Sequence, residues 1–366
     1  MKVKIYGAGS IGNHLAQASR RMGWDVSIVD LDEKALLRTK DDIYPMRYGA
    51  WDDEIKLYKA GEEPKGGFDI IYLGTPPHVR MDLALQVLAE NPKILQVEKP
   101  VCTPELKGVN EFLEELKKHP DTKVIVGYEY VLSKFSNATR DLLLSGKLGK
   151  PQTMDVEIRE LWTGIFGAHP WLSGPEDTYL GFWQKGGGAT AEHSHAINLW
   201  QYYAMLLGQG RVTEVSANLQ MVTDGKVDYD ELSLMNLKTE KGFLGRVVQD
   251  VITEPVKICA RVQCENGYLE AIKGATPDGD SLKYKYNGLD SVNEDFFPKK
   301  RPDDFYAETL HIQDLLDGKV DIVDSPISLE RGLDTMLVVA AVFKSFKEGK
   351  TIKIDYSKGY SKEALT

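Results

Sequence analysis

The first third of the chain alternates between two periods. Short apolar runs occur at Val3–Tyr6, Asp25–Val29, Asp69–Leu73, Ile94–Val97 and Lys123–Val126. They are separated by stretches whose apolar residues recur at helical spacing, such as Ile11, Leu15, Ala18 and Met22. This predicts strands at those runs and helices over Ser10–Met22, from Asp32, over Val79–Ala89 and over Pro104–Lys118. Strictly alternating strands and helices imply a parallel sheet covered on both faces. Right-handed crossovers then make it a doubly wound, Rossmann-type α/β domain. Ala60–Gly67, rich in Gly, Pro and charge, reads as a surface loop.

The period changes near Gly127. After a helix that ends at Leu148-Gly149, runs of alternating polarity follow one another directly, at Thr153–Glu160, Thr213–Val222, Glu231–Thr239, Gly242–Val251, Lys257–Cys264 and Tyr268–Lys273. Turn residues such as Glu265-Asn266-Gly267 separate them, as in antiparallel hairpins. The second part is therefore expected to be an α+β domain with a large, open, mainly antiparallel sheet. A closing helix over 328–348 carries an apolar stripe of Leu329, Leu333, Met336, Leu337, Ala340 and Phe343. The expected division is 1–126 and 127–366.

Composition narrows the class. The 366 residues carry 45 Lys+Arg against 55 Asp+Glu, a net charge of −10. That balance argues against a protein that grips nucleic acid through its phosphates. No apolar run reaches the ~18 residues of a membrane span, and the N-terminus enters a strand directly, without a signal-peptide pattern. Cys102, Cys259 and Cys264 fit neither a disulfide framework nor a zinc-ligand spacing, so no metal is expected and a reducing, cytoplasmic setting is.

Candidate chemistry sits at the ends of the strands. Gly7-Ala8-Gly9-Ser10-Ile11-Gly12 matches GxGxxG between a strand and a helix, the context in which that motif holds a dinucleotide pyrophosphate. The first Gly allows the tight turn, the second a close approach, and the third helix-to-strand packing. Asp30 ends the second strand, where a carboxylate accepts the ribose 2′-OH and repels a 2′-phosphate. NAD is thus favoured, with Arg38 leaving NADP open; the alternative role for Asp30 is a turn residue or helix cap.

Gly74-Thr75-Pro76-Pro77-His78 and Glu98-Lys99-Pro100 follow the third and fourth strands at the same sheet edge. Together with the glycine turn, Asp141–Pro151, Gly186-Gly187-Gly188-Ala189 and the closing helix, they resemble the Gfo/Idh/MocA oxidoreductases, which include inositol and sugar dehydrogenases. The resemblance implies a cofactor site of Gly7, Gly9, Ser10, Ile11, Gly12, Asp30, Thr75, Pro76, His78, Glu98 and Lys99. It implies a Lys99 that touches both the nicotinamide ribose and the reacting hydroxyl, and an open sheet that makes a homodimer or homotetramer. An ammonium beside the reacting oxygen would stabilise a developing alkoxide; the competing role for Lys99 is an ion pair with Glu98.

The segment Gly186–Asn198 departs from the family pattern GGG-x-x-x-D-x-G-x-H-x-x-D. The best match places Glu192 at the first Asp, His195 at the His and Asn198 at the last Asp, with one residue missing. Read as one helix, Glu192, His195, Asn198, Leu199 and Tyr202 share a face, and His193 lies with Ile197 and Trp200. His195 is then the candidate general base, Glu192 its orienting group or a substrate ligand, and His193 a packed core residue. Trp162 and Trp183 suit stacking on sugar faces, or equally the packing of a core or subunit interface. Glu129 is a further substrate candidate. The expected activity is hydride transfer between NAD and a secondary alcohol of a sugar, cyclitol or sugar derivative. An NAD-dependent glycosidase working by transient oxidation and a non-enzymatic dinucleotide sensor are the alternatives.

Overall fold

The computed structural model describes residues 1–167 and 169–366. The chain forms two units: Met1–Val101 with Gly108–Glu129 and Arg301–Leu329, and Cys102–Lys107 with Tyr130–Lys300 and Glu330–Thr366.

The first unit is built from β1 (Lys2–Tyr6), α1 (Ser10–Arg21), β2 (Asp25–Asp30), α2 (Glu33–Arg38), α3 (Tyr44–Tyr48), β3 (Lys56–Lys59), β4 (Ile70–Leu73), α4 (Pro77–Leu88), β5 (Ile94–Val97), α5 (Val109–Leu116) and β6 (Lys123–Val126). The six strands lie in the order β3-β2-β1-β4-β5-β6, and every pairing is parallel. Helices on both faces leave no solvent side, so Val3, Ile5, Ile70, Ile71, Leu73, Ile94, Leu95 and Val97 are fully buried. The doubly wound sheet expected from the alternation is present, with the edge strand β3 added. That strand carries Lys at both ends and no clear period, so its pattern was silent. Helix α5 starts at Val109 rather than at Pro104, because Gly108 takes a left-handed conformation (φ 80°) before it.

The stretch Ala60–Gly67 is the surface loop its composition suggests, with Gly61, Glu62, Pro64, Lys65 and Gly67 exposed, but it also has a buried side. It forms a strap that buries charge against β1. Lys4 is fully buried, and its ammonium donates to the Pro64 carbonyl at 2.7 Å and pairs with Glu90 at 2.7 Å. The same ammonium lies 4.4 Å from the centre of the Phe68 ring. Glu63, itself buried, accepts the Tyr6 hydroxyl at 3.1 Å.

The second unit contains α6 (Lys134–Leu144), β7 (Pro151–Arg159), α7 (Trp162–Gly167), α8 (Gly188–Glu192), α9 (His195–Leu206), β8 (Val212–Thr223), β9 (Asp228–Thr239), β10 (Leu244–Asp250), β11 (Lys257–Cys264), β12 (Gly267–Thr276), β13 (Gly279–Tyr286) and β14 (Asn293–Pro298). The chain then contributes α10 (Asp303–Leu316) to the first unit and returns through α11 (Leu329–Glu348) and β15 (Ile352–Lys353). The nine strands run in the order β14-β13-β12-β11-β7-β10-β9-β8-β15. Only the central β7–β10 pairing is parallel; the others are antiparallel. Helix α9 lies on this sheet, its Trp200 indole N–H donating to the Met154 carbonyl at 3.0 Å.

Candidate functional site

In the first unit the glycine turn joins β1 to α1 as its spacing predicts. Gly7 adopts φ 112°, and a Cβ there would lie 2.9 Å from the Gly74 carbonyl oxygen. A Cβ on Gly12 would fall 1.9 Å from the Gly7 carbonyl oxygen, so only glycine lets the helix sit this close to the turn. Gly9 differs, because a Cβ there would meet nothing within 4 Å. Gly9 is also the N-cap of α1, and neither a side-chain cap nor an acidic first turn competes for the helix's leading N–H groups. The turn thus presents open space in front of an uncapped helix N-terminus, flanked by the part-exposed Ser10 and Ile11.

Two residues that the motif does not name hold this turn. The Thr39 hydroxyl donates to the Ala8 carbonyl at 2.6 Å, and the Asn13 amide donates to the Gly9 carbonyl at 2.8 Å and to Thr39 at 3.1 Å. Asp30 closes the arrangement: its carboxylate accepts the Ala8 N–H at 2.7 Å and the Asp32 N–H at 2.9 Å. Asp30 therefore braces the glycine turn through one oxygen, and the cap of the following helix falls to Asp32, which accepts from the Lys34 N–H.

The two other strand-end turns are tied together by Arg80, on α4. Its guanidinium donates to the Glu98 carbonyl at 2.6 Å and also to the carbonyls of Pro100 and Thr75. Arg80 is only 3% exposed, and nothing in its sequence position marks it out. Pro76 and His78 are exposed, Thr75 and Lys99 partly so, whereas Glu98 is buried. The Glu98 carboxylate points inward, against Gly127, where a Cβ would lie 2.4 Å from its Oε1. It accepts one hydrogen of the Gln96 amide at 3.1 Å; the other goes to Glu308 of α10 at 2.9 Å. Burial pushes the Glu98 carboxyl up, opposed by Arg80, the Gln96 hydrogen bond and Lys99. Burial also pushes Glu308 well up, reinforced by the charges of Glu98 and Glu129.

In the second unit, α8 and α9 correct the single helix expected from the sequence. The chain breaks at His193-Ser194, so Glu192 ends one helix and His195 begins the next. The three-residue spacing of Glu192 and His195 therefore does not define a shared helix face. Glu192 accepts the Tyr179 hydroxyl at 3.1 Å. The imidazole of His195 stacks on the Tyr130 ring, with centroids 4.0 Å apart and planes 9° apart, and the Lys273 ammonium lies 4.3 Å from the centre of the same Tyr130 ring. His193 is buried, as expected of a packed residue.

The glycines before α8 are explained by packing. A Cβ on Gly187 would meet the Tyr179 and Leu180 carbonyl oxygens at 2.3 and 2.4 Å, and one on Gly188 would meet Asp230 Oδ1 at 2.0 Å. Asp230, fully buried on β9, accepts the Thr190 N–H at 2.7 Å and its hydroxyl at 2.6 Å, anchoring the first turn of α8. Burial raises its pKa to about 7 against those two hydrogen bonds. Gln249 supports the same turn, its amide donating to the Ala189 and Thr190 carbonyls.

The remaining candidates are engaged within the unit. Asn198 is buried and donates to the Thr335 hydroxyl of α11 at 3.3 Å. Trp183 stacks on Phe343 of α11, with centroids 4.8 Å apart, and its indole N–H donates to Asp228 at 3.1 Å. Trp162 packs on a cluster of Ala189, Val227, Tyr229 and Val251. Both tryptophans thus have packing partners, while Glu129 lies in the first unit near Glu308. Among the described residues no group of three or more His, Cys, Asp or Glu side chains is placed to hold a metal ion, and no helix is long and apolar enough to cross a membrane.

The first unit's parallel sheet, with its glycine turn at an open helix N-terminus, has the arrangement that holds a dinucleotide phosphate in doubly wound folds. Residues 137–270 match the family model described as the GFO/IDH/MocA C-terminal domain, and the resemblance read from the motifs is borne out there. Solved structures with this fold include an oxidoreductase from Agrobacterium radiobacter in complex with NAD+, L-tartaric acid and magnesium. It is 18% identical, with a TM-score of 0.75, over 96% of this chain and 98% of that one. The aldose-aldose oxidoreductase of Caulobacter crescentus, complexed with glycerol, is 16% identical with a TM-score of 0.72, over 97% and 99%. The WlbA dehydrogenase of Bordetella pertussis, in complex with NADH and UDP-GlcNAcA, is 16% identical with a TM-score of 0.70, over 97% and 98%. A search of curated proteins by sequence gives no match.

Proposed function

We propose that the protein is an NAD-dependent oxidoreductase acting on a secondary alcohol of a sugar, cyclitol or sugar derivative. The observation that carries this reading is the glycine turn. Gly7 and Gly12 are required by their own packing, whereas Gly9 leaves room in front of an uncapped helix N-terminus. That room suits a pyrophosphate, whose charge the helix N–H groups and dipole stabilise. Asp30 adds a carboxylate at the end of β2, which accepts ribose hydroxyls and disfavours a 2′-phosphate, so NAD is preferred to NADP. The complexes of similarly folded proteins with NAD+ or NADH support the same reading.

The bound dinucleotide supplies the hydride acceptor or donor. Thr75, Pro76, His78 and Lys99 complete its site. Lys99 places a positive charge at the reacting oxygen and stabilises alkoxide character there. His195 takes or returns the hydroxyl proton, its ring held flat by Tyr130, and Glu192 binds or orients beside it. Trp162, Trp183, Asn198 and Glu129 contribute to substrate binding through the segments they brace. The nine-stranded sheet is the proposed face for homodimer or homotetramer formation.

The test begins with NADH and NADPH titrations followed by nicotinamide fluorescence, then a screen of sugars and cyclitols for NADH production. NADH should bind more tightly than NADPH. On the substrate found, Lys99→Ala should lower kcat by about 10²–10⁴-fold with little change in NAD affinity. Full turnover by that variant would overturn the assigned role. Hydrolysis with only catalytic NAD would point to the glycosidase, and NAD binding with no turnover on any substrate to the sensor.

A further inference from the structure

The first unit contains a group of buried acids that cofactor binding does not explain. Glu308 is fully buried on α10, and its Oε2 accepts the Gln96 amide at 2.9 Å. The same amide donates its second hydrogen to Glu98 Oε1 at 3.1 Å. One neutral amide therefore holds two carboxyl groups. Glu98 also accepts the backbone N–H of Lys99, the residue that follows it. The sequence of contacts runs from Glu308 to Gln96, to Glu98, to the Lys99 backbone. Gly127 is part of the design, because any side chain there would occupy the place of the Glu98 carboxylate.

We propose that Glu308 is a positioning residue for Lys99: the Glu98–Glu308 pair retains one proton, and the single remaining negative charge holds the Lys99 backbone through Glu98. The charge balance supports this. Glu98, Glu129 and Asp304 surround Glu308 with negative charge, while Arg80 and Lys99 are the cations acting on Glu98 and the neutral phenol of Tyr72 lies near both acids. Two like charges this deeply buried cannot both be compensated, so one proton stays on the pair. The proton is shared rather than owned by one residue, since either carboxyl can accept from Gln96 in either state. Glu308 touches neither substrate nor cofactor in this scheme and acts only through Glu98. The arrangement of Lys99 stands on its own; the benefit to turnover rests on the catalytic reading of Lys99.

Two measurements on the full chain, neither needing a substrate, test the inference. Infrared spectra at pH 7 of protein labelled with 13C-glutamate should contain a band from an un-ionised buried Glu carboxyl, which the isotope separates from Asp230. Glu308→Gln, which leaves a lone ionised Glu98, should remove it. Absence of the band from the parent, or its persistence in the variant, overturns the shared proton. Hydrogen exchange then reads the Lys99 amide. Glu308→Leu, which strips Gln96 of an acceptor, should speed exchange there about tenfold, while α1 keeps its protection. Glu308→Gln should restore parental exchange. Unchanged exchange in the Leu variant, or equal loss in both, overturns the positioning role. A Leu variant that fails to fold leaves the decision to the infrared comparison. Loss of turnover in Lys99→Ala bears on the proposed reaction and on neither of these outcomes.

Discussion

The three glycines of the turn are chemically identical but do different jobs, and the difference is measurable. Gly12 is a packing glycine: its missing Cβ makes room for the Gly7 carbonyl 1.9 Å from where that atom would sit. Gly12→Ala should therefore cost about 3 kcal/mol or more of stability, because the clash is with backbone that cannot rotate away. Gly9 has no such packing role: it has φ −83°, which alanine adopts freely, and empty space where a Cβ would go, so its value lies in the proposed phosphate site. Gly9→Ala should melt within a degree or two of the parent, yet bind NAD at least about tenfold more weakly, because the methyl group takes the place of the phosphate. Thermal melts and NAD titrations of the two variants check this. Equal NAD affinity in Gly9→Ala and parent would remove the phosphate from this turn.

At the scale of elements, local period was readable and distant partners were not. The strands β1, β2, β4, β5 and β6 each show as an apolar run because both faces are covered. The glycine turn and the turn carrying Lys99 were legible because each follows such a run. The break between α8 and α9 was not, since Ala191 to Ile197 contains neither Gly nor Pro. What sets α8 is tertiary: Asp230 and Gln249 reach it from β9 and β10. Asp230 makes this anchor sensitive to pH. Its pKa of about 7 in the folded chain exceeds the ~3.9 of an unfolded Asp. The stabilisation is thus fully present below about pH 4 and is lost as pH rises through 7. The difference between the folded and unfolded values corresponds to at most about 4 kcal/mol. Asp230→Asn, neutral throughout and still able to accept from Thr190, should lose this dependence. Denaturant midpoints of the two proteins should therefore diverge between pH 4 and 7, with the parent declining more steeply. Parallel curves would show that Asp230 ionises as it does in water.

At the scale of the whole molecule, chain order and unit membership differ. The alternation of strands and helices ends near Gly127, yet the first unit takes Arg301–Leu329 from beyond the second sheet. No periodicity announces this, because α10 has an ordinary helical pattern and its assignment depends on contacts such as Gln96 to Glu308, separated by 212 residues. The returning segment matters physically. Phe305 stacks on His14 of α1 at 4.8 Å, and the Ile327 carbonyl accepts the Val126 N–H at 2.8 Å beside the last strand of the sheet. Phe305, Ile312 and Leu315 are all buried, and burying three such side chains contributes roughly 5–9 kcal/mol. That is comparable with the whole net stability of a domain, about 5–15 kcal/mol. Residues 1–129 expressed alone should therefore lack a cooperative thermal transition and bind NAD poorly. The same residues joined to 301–329 by a flexible linker should regain both the transition and NAD binding. Calorimetry and NADH fluorescence on the two proteins decide the matter: a cooperative melt and NADH binding by 1–129 alone would show that the parallel sheet is complete before the chain comes back to it.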